Sequence, residues 1–258
     1  PGFKPLQNKT GIRVFDSIFG KGKGVYHTGG YLGNGEVIWA LARLPKTLEV
    51  TRKDKVNTYA LFTNSHNGSI AIDIRLTTVR VVCQNTLSLA LKKKTKTIFK
   101  HAHQGNYSDL QSQVEMFFEE TLKAADHIGI TFKEMLRRKF DDDQVKAYVE
   151  TLFPLPRRKP ESDRNPRAAA LYAARVKRVQ SIRESIFDLT RQGRGTDLDG
   201  VQGTLWGAFN AVLEYVDHHA ETRSDRLAYA MLGTGALIKR KAFDQAVGKI
   251  GETPSNLN

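Results

Sequence analysis

Cysteine occurs once in the 258 residues, at Cys83. A single cysteine excludes an internal disulfide framework and any zinc site built from cysteine pairs. It lies in the apolar run Val79–Cys83, which marks a buried structural thiol rather than a nucleophile. No apolar run reaches the roughly 18 residues needed to cross a bilayer, and no secretory leader is visible. The expectation is a soluble protein of a reducing compartment, the cytoplasm, with no membrane association. Negative charge is also scarce. Forty Lys and Arg stand against 27 Asp and Glu, a net charge of +13, and such a surplus points to a polyanionic partner, most often nucleic acid.

Catalytic patterns are missing too. The chain has no Gly-x-Ser-x-Gly, no His-Glu-x-x-His and no paired-carboxylate signature. Gly20-Lys21-Gly22-Lys23-Gly24 is a flexible basic loop suited to a phosphate, but its spacing is not that of a Walker A motif. His101 and His103 have no sequence link to Asp141-Asp142-Asp143, and that acidic run reads more simply as a helix cap. His218 and His219 are adjacent and cannot share one helix face. His66, set among Asn64, Ser65 and Asn67, is the best single catalytic candidate, although turn polarity explains it without chemistry. No catalytic residue, metal ligand or cofactor is therefore assigned.

What is present is a hairpin pattern. Tyr59–Thr63 is β-prone, and Asn67-Gly68 is a strong hairpin turn. Ile70, Ile72, Ile74 and Leu76 then alternate with Ala71, Asp73, Arg75 and Thr77, placing the aliphatics on one face and Asp73 and Arg75 on the other. Val79–Val82 continues the sheet and residues 83–86 break it. The spacing predicts a helix from Leu87 to Lys100, capped by Asn85 or Thr86. Upstream, a short helix is expected around Arg13–Phe19. Val25–Tyr31 and Glu36–Leu44 form a second hairpin, ended by Pro45, and Leu48–Thr51 is a separate edge strand.

After the sheet the signal is helical. Leu110–Gly129, Thr131–Arg138 and Asp142–Leu152 read as three helices. Pro154–Pro166 is a linker, rich in proline and charge. Arg167–Gln192 is an arginine-rich helix, which also reads as a solvated face, and residues 155–194 hold eleven bases against four acids. Thr204–Ala220 is an amphipathic helix, and Arg223–Leu232 and Ala236–Val247 close the chain. The fold class is α+β, an antiparallel hairpin sheet followed by a mostly helical part. The expected divisions are 1–100 for the sheet with its junction helix, 101–154 for a helical extension, 155–166 for the linker and 167–258 for a helical region on the same core.

The nucleic-acid signal is distributed. Arg75, Arg80, Lys92, Lys93, Lys94 and Lys96 flank the expected sheet-to-helix junction, Lys21 and Lys23 lie in the glycine loop, and Tyr26 and Tyr31 occur in a hairpin. Cations beside aromatics suit single-stranded nucleic acid, where backbone charge and base stacking both contribute.

The segments YHTGGYLGNGEVIWALARLP, YALFTNSHNGS and TTVRVVCQNTLSLAL, with TLWGAFNAVLEYVDHH later, resemble the phage/plasmid-like family labelled domain of unknown function 932. The resemblance runs over most of the chain. It implies further residues before Pro5-Leu6-Gln7-Asn8 and a setting of phages and plasmids in bacteria, and it carries no reaction and no catalytic residues. The expectation is single-strand DNA binding and annealing in recombination or replication, by a homo-oligomer. The alternatives are a phage interaction or assembly protein, an inhibitor of a host defence factor, and a metal-dependent nuclease.

Overall fold

The computed structural model describes residues 6–18, 24–89, 98–101, 110–160, 165–223 and 225–251. The chain divides into two compact units, one of residues 1–133 and 222–236, the other of residues 134–221 and 237–258. These differ from the divisions expected near 100 and 155–166. Helix α2, Leu110–Arg137, runs on as one 28-residue element where two helices are expected, and a late segment returns to the first unit.

The first unit is built on a six-stranded antiparallel sheet: β1 Val25–Leu32, β2 Val37–Glu49, β3 Lys55–Ser65, β4 Ile72–Arg80, β5 Thr86–Leu89 and β6 Ile98–His101. Strands β1 to β5 follow one another as a meander, and β6 also pairs with β4. β5 takes the Leu76–Val79 half of that edge and β6 the Ile72–Arg75 half. Asn67-Gly68 makes the β3–β4 turn, with Gly68 at φ 75°. Register places Ile74 beside Phe62 and Leu76 beside Ala60, while Asp73 and Arg75 pair with Thr63 and Leu61 on the opposite face. The alternation in the sequence therefore assigned the faces correctly.

Two expectations fail along this sheet. The helix expected over Leu87–Lys100 does not form at either end: Thr86–Leu89 is strand, Ile98–His101 is strand, and residues 90–97 lie outside the described residues. Helix propensity yields here to the open edge of β4, where Thr77 and Ser88 hydroxyls meet at 3.1 Å. Nor does Pro45 end its strand. β2 passes through it and includes Leu48, because a register shift between Arg43 and Thr47 accommodates the missing amide.

Both faces of the sheet are covered. On the Phe62 face lies helix α1, Asn8–Ile18, whose Phe15 ring stands 5.4 Å from Phe62. On the other, Leu41, Tyr59 and Leu61 form a buried cluster with Ala230 and Met231, and Leu227, Tyr229 and Leu232 pack against it. Those residues belong to the returning segment, which contains a five-residue π-helix, Ala228–Leu232.

The second unit surrounds helix α5, Leu205–Glu214, every residue of which is buried. A helix buried all round is an interior helix, and the amphipathic expectation for Thr204–Ala220 is corrected on that point. It changes at Tyr215 into a π-helix, Tyr215–His219. Around α5 the unit has α3 Asp142–Leu152, α4 Pro166–Gln192 and α6 Thr234–Ile250, and Phe209 meets Phe243 of α6 at 6.0 Å. Gly207 faces the Val201 carbonyl so closely that a Cβ would lie 2.6 Å from that oxygen. Gly207→Ala is therefore expected to destabilise the protein by about 1–3 kcal/mol through overpacking, read as a lowered denaturant midpoint.

Tyr148 is fully buried and its hydroxyl donates to the Ala242 carbonyl at 2.8 Å. Burial raises its pKa above the ordinary tyrosine value, so the folded state holds a proton that the unfolded chain releases above about pH 10. Stability is then expected to fall with a steeper slope above that pH, and Tyr148→Phe to flatten that limb in alkaline denaturation curves.

Candidate nucleic-acid interface

The sequence candidates separate once they are placed. Arg80 is 2% exposed and Asp54 fully buried. The guanidinium donates from Nε to Asp54 Oδ1 at 2.8 Å and from Nη2 to Oδ2 at 2.6 Å, with Nη1 3.9 Å from Cys83 Sγ. Burial alone would lower the Arg80 pKa; Asp54, with help from Cys83, outweighs it and holds the pKa above its ordinary value. The pair ties the β2–β3 turn to the β4–β5 turn, so a phosphate contact from Arg80 would require breaking a buried fork. Arg75 is similarly engaged, its side chain 17% exposed and paired with Asp73. Cys83 is buried, as its apolar setting implies.

Tyr26 donates its hydroxyl to Asp16 at 2.5 Å, and its ring meets Phe15 edge-on at 5.6 Å. Burial and that bond raise its pKa. Tyr31 is 70% exposed and remains an open stacking surface. Lys21, Lys23, Lys92, Lys93, Lys94 and Lys96 lie outside the described residues.

An exposed basic surface among the described residues lies in the second unit, on α4. Asn165 caps this helix, accepting from the amides of Arg167 and Ala168, and Pro166 occupies its first turn. Ala168-Ala169-Ala170 and Ala173-Ala174 supply propensity where packing does not. No residue from Pro166 to Gln180 is buried, and the first buried side chain is Ile186. That is roughly 22 Å of helix without a buried side chain. It carries Arg167, Arg175, Lys177 and Arg178. Arg157, Arg158 and Lys159 precede it, and the Arg158 guanidinium lies over the Tyr172 ring at 6.0 Å. No carboxylate occurs among the described residues 154–160 and 165–180.

The other half of α4 spends its cations internally. Arg183 donates to the Phe153 carbonyl and to Glu150, each at 2.9 Å, and Arg191 to Asp142 at 2.5 Å. Arg178 lies 3.8 Å from Glu221 with both side chains well exposed, a weak pairing in water. Beside it runs an open groove of about 680 Å³ lined by Lys177, Ser181, Tyr215 and His219. The α4 cations were visible in the sequence as a local excess of bases. What single-sequence periodicity could not supply was which half of the helix packs.

Of the remaining candidates, His103 lies outside the described residues; several others find structural roles. Asp141 accepts from the Gln144 amide at 2.9 Å and Gln144 Oε1 from the Asp141 amide at 3.0 Å, a reciprocal capping box. His66 Nε2 lies 2.6 Å from Asn8 Oδ1, and Asn64 donates to the Leu6 carbonyl at 3.0 Å. Together they hold the entry to α1. His219 faces Glu214 at 3.9 Å, while Glu214 accepts from the Arg194 amide. Among the described residues no group of three His, Cys, Asp or Glu is placed to hold a metal ion. None of the described helices is long and apolar enough to cross a membrane.

A family model described as "Domain of unknown function (DUF932)" matches residues 1–232. No curated protein and no solved structure matches the chain.

Proposed function

We propose that this chain, which belongs to the DUF932 family, binds nucleic acid through the exposed half of α4, with single-stranded DNA as its substrate. The observation that carries this reading is the run Pro166–Gln180, helical, without a buried side chain and without a carboxylate. A surface of that kind costs folding stability through self-repulsion, and a polyanion relieves it. Arg157, Arg158, Lys159, Arg167, Arg175, Lys177 and Arg178 would contact phosphates. Arg75 and Arg80 drop out as first-choice contacts because their partners are internal carboxylates. Annealing of complementary strands, in phage or plasmid recombination or replication, fits a site of this kind because it needs charge neutralisation rather than a general base or a metal ion.

The test is fluorescence anisotropy with labelled single-stranded and duplex oligonucleotides at two salt concentrations. Each phosphate neutralised on a single strand contributes about 0.7 to the slope of log K against log salt. The seven cations named, if each meets a phosphate, therefore give a slope of about −5. Tighter binding to the single strand with that slope supports the reading. No binding at low salt overturns it and favours the alternative of a protein partner.

A further inference from the structure

Strand β1 ends the sheet order, with β2 on one edge and no described strand on the other. Every residue from Val25 to Tyr31 is exposed, Val25 at 71% and Tyr31 at 70%. The strand's faces are covered only in part, by α1 at Tyr26 and by the Tyr59 ring beside His27. Edge strands are normally blunted by lysine, proline, an inward charge or a covering element. The sequence VYHTGGYL contains no Lys, Arg, Asp, Glu or Pro.

We propose that β1 pairs antiparallel, edge to edge, with β1 of a second copy of this chain. Charge selects the occupant. A net charge of +13 opposes contact between two copies over most surfaces, and β1 is an eight-residue strand that brings no like charges together. The register agrees. The irregularity between Tyr26 and Thr28 makes His27 the extra residue, so Tyr26, Gly29 and Tyr31 share one face and Thr28 and Gly30 the other. A two-fold axis through Gly29 then sets Thr28 opposite Gly30 of the other copy and Tyr31 opposite Tyr26, with each bulge falling outside a pair. Both tyrosine pairs lie on the same face, where cross-strand aromatic contacts stabilise an antiparallel pair. The hydroxyl bond from Tyr26 to Asp16 fixes one member of each pair in advance.

The inference does not rest on nucleic-acid binding, and its test uses nuclease-treated protein without DNA. Sedimentation velocity of the full chain up to about 100 μM, where a micromolar dissociation constant leaves mostly dimer, is expected to give a dimer. Tyr31→Lys is expected to weaken that dimer at least about tenfold by placing a charge in the new strand pair. Register is read separately: Tyr26→Cys and Tyr31→Cys chains, mixed and mildly oxidised, should cross-link to each other, and neither should cross-link alone. A chain that stays monomeric overturns the proposal. So does a dimer that survives Tyr31→Lys and yields no mixed cross-link.

Discussion

Reversing Arg175, Lys177 and Arg178 together to glutamate is expected to reduce single-strand DNA affinity about a thousandfold at low salt. The estimate takes about 1 kcal/mol for each lost phosphate contact and a comparable penalty for opposing charge where only part of each acts. The slope of log K against log salt should shrink by about 2, three contacts at roughly 0.7 each. All three side chains are exposed on a half-helix without buried residues, so the thermal midpoint should hardly move; surface substitutions usually stay within about 0.5 kcal/mol. That separation is the point of the experiment. A matching reversal of Arg183 and Arg191 would be a poor control, because both support α4 through internal partners and would destabilise the unit. Unchanged affinity and slope in the triple variant would remove α4 as the interface.

The second large effect is on stability. Asp54→Ala is expected to destabilise the protein by about 3–5 kcal/mol, because it leaves the Arg80 guanidinium buried without its carboxylate. The loss should appear in chemical denaturation of the whole chain. Arg80→Met in the same background should recover much of it, since replacing both ends of a buried pair with apolar groups is far less costly than removing one. An Asp54→Ala variant within about 0.5 kcal/mol of the parent would mean that water reaches Arg80 and that the pair is not a structural tie.

These two residues also show what sequence reading reaches. The Asn-Gly turn, the alternation of Ile72, Ile74 and Leu76, the Asp141 cap and the order of sheet before helices are local signals, and each appears where the residues dictate. Alternation, however, reports which side chains share a face. It does not report whether that face meets water. Asp73, Arg75 and Val79 lie on a face roofed by residues 227–232, some 150 positions later, and Arg80 is buried by a turn that contributes Asp54. The strand Thr86–Leu89 is illegible in the sequence for the same reason, since only the edge of β4 decides between two short-range propensities. The exposed half of α4 is the converse: its composition was legible, and its lack of packing was not.

The return of residues 222–236 to the first unit has a consequence for how the chain is made. When Lys133 leaves the ribosome, Leu41, Tyr59 and Leu61 already stand on a sheet face whose cover has not been synthesised. At typical elongation rates the roughly 90 residues up to Thr222 take roughly 5–18 s. For that interval the nascent sheet keeps an apolar face in water, an invitation to chaperones or to neighbouring chains on the same message. The second unit waits in turn for Phe243 and Lys239. Neither unit corresponds to one continuous stretch, so fragments cut at 133 or 221 should aggregate where the longer chain folds, and synthesis must pass Leu232 before the first hydrophobic core can close and Phe243 before the second can.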